Sequence, residues 1–311
     1  MEYIYLIVSL AMIIVGAMML TDGSVALAAR FRVSEFVVGL TIVAVGTSMP
    51  EGVVSMLSAL GGSGEMAIGN VVGSNIFNVY AILGACALFS PVLFTSSNMR
   101  SDIPICIAAS VALWGVTFWD GVISRWDGAI LLLGYIAMLL FALRQGRKQG
   151  MAAEAEGGQS GGEMALWRIP VWIVGGLLIL IFGGQLCVES ATDIARSLGV
   201  SEATIAITLV AGGTSLPELA ASLVSLLKGR ASLALGNVLG SNIANILLIL
   251  GSCSIVTPLS MGNVTMLDIY VAIAAPILVL ISGLIIGNRR ITRVEGLAFL
   301  LIYAGYVYTL I

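Results

Sequence analysis

Two glutamates occupy matching positions in the two halves of the chain. Glu51 ends the run Ala-Val-Gly-Thr-Ser-Met-Pro-Glu, and Glu218 ends the run Ala-Gly-Gly-Thr-Ser-Leu-Pro-Glu, 167 residues later. A carboxylate in an apolar segment is costly unless something compensates its charge, so such residues usually mark an ion or substrate pathway. Two of them, each beside hydroxyls and a proline, favour a cation site.

The neighbours of each glutamate can supply neutral oxygens. Pro50 and Pro217 each remove a backbone donor and should break the helix, which frees carbonyl groups beside the carboxylate. Calcium takes about 6–8 oxygen ligands, whereas softer metals favour imidazole or thiolate. The chain has no histidine, and its four cysteines are not clustered. The hydroxyls in the two runs belong to Thr47, Ser48, Thr214 and Ser215.

A second segment is duplicated at the same offset. The run Gly-Asn-Val-Val-Gly-Ser-Asn-Ile-Phe-Asn at 69–78 returns as Gly-Asn-Val-Leu-Gly-Ser-Asn-Ile-Ala-Asn at 236–245. Its glycines suit close helix packing, and its final asparagines suit either interhelical hydrogen bonds or an ion site. Asp22 and Glu189 also match; they either line the ion entrance or cap a helix end. The further candidate ligands are Ser74, Ser241, Asn78 and Asn245.

The composition sets the environment in which these motifs lie. Hydrophobic residues make up 59% of the chain and charged residues 10%, with a mean hydropathy of +1.07, which excludes an ordinary soluble domain. Apolar stretches near the ~20 residues that span a bilayer recur throughout, so we predict an all-α integral membrane protein. Ten transmembrane helices are expected, near 3–28, 36–59, 67–90, 102–119, 127–143, 168–190, 203–227, 233–257, 268–286 and 295–311.

Lysine and arginine predict the orientation of these helices. Of the 14 such residues, all but Arg125 and Arg196 fall on one side of the map, which the positive-inside rule makes cytoplasmic. Both termini then lie outside, in a multi-pass protein of the cell's inner membrane, and the first helix is expected to be retained. Five spans precede the midpoint, which predicts two inverted repeats. They are expected at 1–143 and 168–311, joined by a flexible cytoplasmic linker at 144–167.

With both motifs present twice, the chain resembles the calcium/cation antiporter superfamily, and within it the prokaryotic sodium/calcium exchangers. The resemblance spans essentially the whole chain. It implies an antiporter without a cofactor that exchanges calcium for sodium by alternating access and exports calcium. It also implies that spans two, three, seven and eight form the ion site, while spans one and six slide past them as gating helices.

The resemblance further implies individual ligand roles. Glu51 and Glu218 look like the carboxylates shared by calcium and sodium, and the carbonyls of Thr47 and Thr214 look like further calcium ligands. One implied sodium site, near Glu218, comprises Ala44, Ser48 and Ser74. Its inverted counterpart, near Glu51, comprises Ala211, Ser215 and Ser241. Asn78 and Asn245 are implied to face the central position, where some family members carry aspartate in place of Asn245.

The neutral Asn245 leaves the coupling ion open. The two glutamates supply a charge of −2, which one calcium ion cancels and three sodium ions exceed by one. Two sodium ions or protons also balance it, because paired buried carboxylates readily take up protons. Proton/calcium exchange is therefore the main alternative, and a passive cation channel is another.

Other function classes fit the sequence poorly. An intramembrane zinc protease or a Ser–His hydrolase needs histidine, which the chain lacks. An aspartyl-type site would have to use the two glutamates, and duplicated proline-broken ligands have no evident use in peptide hydrolysis. No basic, aromatic-rich run indicates nucleic acid, and no feature implies a protein partner. The expected partners are calcium and sodium ions and the lipid bilayer.

Overall fold

The protein is described by a computed structural model that covers residues 1–155, 164–201, 211–286 and 289–310. For 149–155, 211, 285 and 286 it describes the backbone alone. These residues form a predominantly helical molecule with four two-residue strands. The helices are α1 (Glu2–Phe31), α2 (Glu35–Thr47), α3 (Met49–Leu60), α4 (Gly64–Phe89), α5 (Asn98–Thr117), α6 (Arg125–Ala155), α7 (Arg168–Ser197), α8 (Ala211–Gly213), α9 (Leu216–Leu227), α10 (Ala231–Val256), α11 (Met266–Ile281) and α12 (Arg293–Leu310). The strands are β1 (Val92–Leu93), β2 (Val122–Ile123), β3 (Leu259–Ser260) and β4 (Arg290–Ile291).

Seven of the described helices are long and apolar enough to cross a membrane, and α2 with α3 forms an eighth candidate span bent by 48°. This confirms a helical protein with many membrane-spanning segments. The predicted seventh span, 203–227, is described only from residue 211, because 202–210 lie outside the described residues. Its described part contains the apolar helix α9.

Helix α6 differs from the prediction in its length. The residues from 144 to 155 were expected to begin a flexible linker, but they continue α6 as regular helix. Alanine, glutamine, arginine, lysine and glutamate dominate this stretch, and all of them are favourable in helices. The rest of the expected linker includes 156–163, which lie outside the described residues.

The duplicated segments have matching backbone irregularities. A π-helical stretch runs over Phe77–Leu83 within α4, and its counterpart runs over Ala244–Leu250 within α10, again offset by 167 residues. Such wide turns inside α-helices are frequent at functional sites. Asn78 and Asn245 lie at the same place in the two stretches, so both halves distort the helix where a candidate ligand lies.

The halves of the chain meet through reciprocal contacts. Strand β1 pairs antiparallel with β4, and β2 pairs with β3, so each small sheet takes one strand from each half. Helix α10 is almost wholly buried, whereas α1 and α7 expose most of their surface and pack against each other. Gly16 of α1 lies against Gly176 of α7 with no room for a side chain, as is common where membrane helices approach closely.

Candidate ion-binding site

Each of the two glutamates is held by a serine from the other half of the chain. Ser48 Oγ donates a hydrogen bond to Glu218 Oε1 at 3.0 Å, and Ser215 Oγ donates to Glu51 Oε1 at 2.9 Å. Both glutamates are only 1% exposed. Their second carboxylate oxygens have no hydrogen-bond partner among the described residues. The pair therefore presents two buried oxygens that a cation can use.

Helix breaks place both carboxylates at helix N-termini. Helix α2 ends at Thr47 and α3 begins at Met49, with Ser48 at the bend and Pro50 in the first turn of α3. A proline is tolerated there because the first-turn N–H groups have no partner within the helix. Glu51 also lies in this first turn, where the helix dipole favours a negative charge. Glu218 has the same place in α9, so the predicted break at each proline is confirmed.

An asparagine from the next helix ties down each glutamate's backbone. Asn70 Nδ2 donates to the Glu51 carbonyl at 3.2 Å and to Ser55 Oγ at 3.0 Å. Asn237 Nδ2 makes the matching bond to the Glu218 carbonyl at 3.3 Å. These bonds fix each broken helix to the helix that follows it in the chain.

Four buried asparagines form a reciprocal network across the interface between α4 and α10. Asn75 Nδ2 donates to the Asn242 carbonyl, and Asn242 Nδ2 donates to the Asn75 carbonyl, both at 3.2 Å. Asn78 Nδ2 donates to Asn242 Oδ1, and Asn245 Nδ2 donates to Asn75 Oδ1, both at 3.0 Å. The Oδ1 atoms of Asn78 and Asn245 are buried and have no hydrogen-bond partner among the described residues.

The serines in the duplicated segment differ from the expected grouping. Ser74 Oγ lies 3.5 Å from Ser215 Oγ, which places it beside Ser215 and Glu51, whereas the resemblance implied a place with Ser48 and Glu218. Sequence positions alone do not reveal which serine faces which glutamate, because that depends on how the helices cross. Ser241 Oγ is buried and unpartnered among the described residues.

The remaining predicted residues line the same helix breaks. The Thr47 hydroxyl donates to Asn237 Oδ1 at 3.2 Å, so it links helices of the two halves. The Ala44 carbonyl accepts hydrogen bonds from the Thr47 hydroxyl at 3.3 Å and from the Ser48 N–H at 3.0 Å. Thr214 lies in the turn between α8 and α9. Ala211 begins α8, and its side chain is outside the described set.

The donor set consists of hard oxygen ligands. Within the described residues, no group of three or more His, Cys, Asp or Glu side chains could hold a metal ion. Carboxylate, amide and hydroxyl oxygens suit calcium and similar hard cations. Asp22 lies apart from this site, in an ion pair with Lys228 Nζ at 2.6 Å, so it joins α1 to the end of α9.

Comparison with known proteins identifies the family. The sodium/calcium exchanger protein family matches residues 1–144 and 168–311. The chain belongs to this family. It is 38% identical to the putative antiporter CaxA of Alkalimonas amylolytica, over 99% of this chain and 98% of that protein. It is 34% identical to the inner membrane protein YrbG of Escherichia coli, over 81% and 79% of the two chains.

The structural comparison agrees with the sequence comparison. A solved structure of the sodium-calcium exchanger NCX_Mj superposes with a TM-score of 0.86 at 29% identity, covering 100% of this chain and 99% of that one. The sodium/calcium exchanger MaX1 of Methanosarcina acetivorans is 29% identical over 99% of this chain and 98% of its own. The protein is therefore a multi-pass membrane antiporter of the calcium/cation type and not an enzyme.

Sequence reasoning missed Asn75, Asn242, Asn70 and Asn237 as parts of the site. All four lie within the duplicated segment that contains Ser74 and Asn78 and their counterparts. They could have been found from the recurrence of asparagine at matching positions of two apolar helices. A buried amide group needs hydrogen-bond partners, so such residues are expected to contact each other or a ligand.

Proposed function

We propose that this protein exchanges calcium for sodium across the cell's inner membrane by alternating access, and that it exports calcium when sodium flows inward. The observation that supports this most directly is the pair of cross-bonded glutamates. Each keeps one unpartnered oxygen, and the amide oxygens of Asn78 and Asn245 add two neutral donors. Calcium needs such a set of oxygens. The relatives that are named sodium/calcium exchangers support the same function.

We propose ten transmembrane helices in two inverted repeats, with both termini outside the cytoplasm. Reciprocal contacts such as Ser48 with Glu218 and Ser215 with Glu51 are those of two copies related by a two-fold axis. Five spans in each half would place that axis in the membrane plane. In this arrangement α2–α3, α4, α8–α9 and α10 surround the site, and α1 and α7 are the gating helices.

For the ions, we propose that calcium lies between Glu51 and Glu218 with the carbonyls of Thr47 and Thr214. One sodium site then comprises Glu51, Ser215 and Ser74, and the two-fold relation gives Glu218, Ser48 and Ser241 as the other. Ala44 and Ala211 border these sites with their carbonyls. Calcium and sodium compete for the same carboxylates, so the bound ions are exchanged and not carried together.

Charge neutralisation explains why the cycle would be coupled. Moving an uncompensated buried charge through a closed gate costs several kcal/mol, so the site crosses only when cations cancel its two carboxylates. If three sodium ions exchange for one calcium ion, each cycle moves one charge, which corresponds to about 2.3 kcal/mol per 100 mV. Because Asn245 is neutral, two sodium ions or two protons also balance the site. Proton/calcium exchange is thus the second candidate.

Radioactive calcium uptake into proteoliposomes tests these proposals. We expect uptake into vesicles loaded with sodium, at a rate that a proton gradient alone does not reproduce. Proton-driven uptake without sodium would select the second candidate, and flux without any counter-ion would indicate a channel. Glu51→Gln and Glu218→Gln should each abolish exchange while the protein still folds and inserts. Glu65→Gln is the matched control, because Glu65 accepts from an exposed backbone N–H of Asn263. Wild-type exchange in either site variant would refute the assignment.

A further inference from the structure

The two backbone hydrogen bonds of the asparagine network dictate how all four amide groups point. A backbone carbonyl is an acceptor only, so the Nδ2 groups of Asn75 and Asn242 must face it. Their Oδ1 atoms must then point the other way, where they accept from Asn245 and Asn78. Those two amides are left with their own Oδ1 atoms turned away from the network.

The orientation of Asn78 and Asn245 decides what they offer to a cation. An inward Oδ1 is a neutral ligand, whereas a reversed amide would place an NH₂ group toward the cation and repel it. A reversed amide would also set its oxygen against the Oδ1 of Asn242 or Asn75. Serine hydroxyls can rotate to present an oxygen, but a buried amide has only these two settings.

We propose that Asn75 and Asn242 are positioning residues that lock the amides of Asn245 and Asn78 with their oxygens toward the transported ion. The inference rests on the proposed function, since it concerns ligands of the proposed ion site. Each lock reaches across to the other half of the chain: Asn75 orients Asn245, and Asn242 orients Asn78. Removing a lock should weaken cation binding without removing a ligand.

Aspartate at the oriented position separates this role from simple helix packing. A carboxylate presents an oxygen whichever way it turns, so it has no need of a lock. Asn75→Ala should therefore raise the calcium concentration for half-maximal thermal stabilisation by about tenfold when residue 245 is asparagine, because an unpaired buried amide group disfavours the binding orientation. In the Asn245→Asp background the same change should alter that concentration less than about threefold, since the lock is no longer required.

The crossed arrangement supplies an internal control. Asn78→Asp should not rescue Asn75→Ala, because Asn75 accepts its hydrogen bond from Asn245 and not from Asn78. A second set, Asn242→Ala with Asn78→Asp, tests the symmetry-related hydrogen bond between Asn78 and Asn242. It replaces the first set if Asn75→Ala does not fold. Every variant is measured as full-length protein in detergent, and it must be monodisperse on gel filtration. Thermal stabilisation by calcium reports binding, so the assay does not depend on transport.

The outcomes are distinct. The positioning role is supported if Asn245→Asp, but not Asn78→Asp, restores calcium binding to the Asn75→Ala variant. Equal weakening in both backgrounds, rescue by the wrong aspartate, or no weakening in Asn75→Ala overturns it and leaves a packing role. The proposed function fails separately, if Glu51→Gln and Glu218→Gln retain calcium stabilisation and exchange.

Discussion

Gly240 lies at a close crossing of α10 and α2, and alanine there should damage both stability and transport. A methyl group at Gly240 would lie 2.4 Å from the Leu40 carbonyl oxygen and 2.6 Å from Leu40 Cα. Optimal separations are about 3.5 Å, so the two helices would have to part by about 1 Å. Both contacts are with backbone, which cannot turn aside as a side chain can.

The size of the effect follows from two opposing contributions. Overpacking of this kind costs about 1–3 kcal/mol, and two rigid backbones place it at the upper end. Alanine in a helix interior offsets about 1 kcal/mol of that, because it is favoured there over glycine. The free energy of unfolding should fall by about 2 kcal/mol, which for a chain of this length lowers the melting temperature by about 3 °C. Exchange should fall by about tenfold or more, since Ser241 and Asn242 move with α10.

The matched control is Gly134→Ala in α6. The nearest atom to a methyl group there is Leu247 Cδ1 at 3.8 Å, an ordinary contact. This variant should match or slightly exceed the wild-type melting temperature and retain full exchange. Differential scanning fluorimetry and sodium-driven calcium uptake would be measured on both variants. An unchanged melting temperature and rate in Gly240→Ala, or an equal loss in both variants, would refute the packing argument.

Two further predictions concern hydrogen bonds and ion pairs. Ser48→Ala and Ser215→Ala should each lower the stability of the ion-free protein by about 1–3 kcal/mol, the usual cost of leaving a buried acceptor without its hydrogen bond. Ser110→Ala should change the stability little, because the Ser110 hydroxyl bonds the Cys106 carbonyl of its own helix. Thermal melts in ion-free buffer check this, and a loss confined to one serine would contradict the reciprocal geometry. Lys228→Ala should change the exchange rate less than about fivefold, because its pair with Asp22 is partly exposed and such pairs contribute about 0.2–1 kcal/mol. The difference in exchange rate between Lys228→Ala and the wild type should shrink in concentrated choline chloride. A complete loss of exchange in this variant would contradict the prediction and indicate that Asp22 takes part directly in ion transfer.

The duplicated motif allowed much of the site to be predicted from sequence. Glu51 and Glu218 stand in matching apolar runs, and a proline beside each predicts the break that the structure contains. These features depend on local chemistry, so the order of residues along the chain is enough to find them. The all-helical membrane class likewise follows from composition alone.

Contacts between helices could not be predicted in the same way. Ser74 lies beside Ser215 of the other half of the chain, and no spacing along the sequence encodes how helices that are distant in the chain pack together. The partners of Asn75 and Asn242 likewise depend on two segments that are far apart in sequence. The stretch 144–155 was misjudged for a different reason, since its glycines and charges suit a tether as well as a helix end.

The reciprocal pairing of Ser48 with Glu218 and Ser215 with Glu51 also bears on the sense of net flux. Exchanging the two halves carries these pairs onto each other and carries the asparagine network onto itself, because residues 78 and 245 are both asparagine. An ion arriving from either face of the membrane would thus meet an equivalent set of donors. In the proposed inverted arrangement the site would favour neither face of the membrane, and the electrochemical gradients would set the direction of calcium movement, as they do in any coupled exchanger.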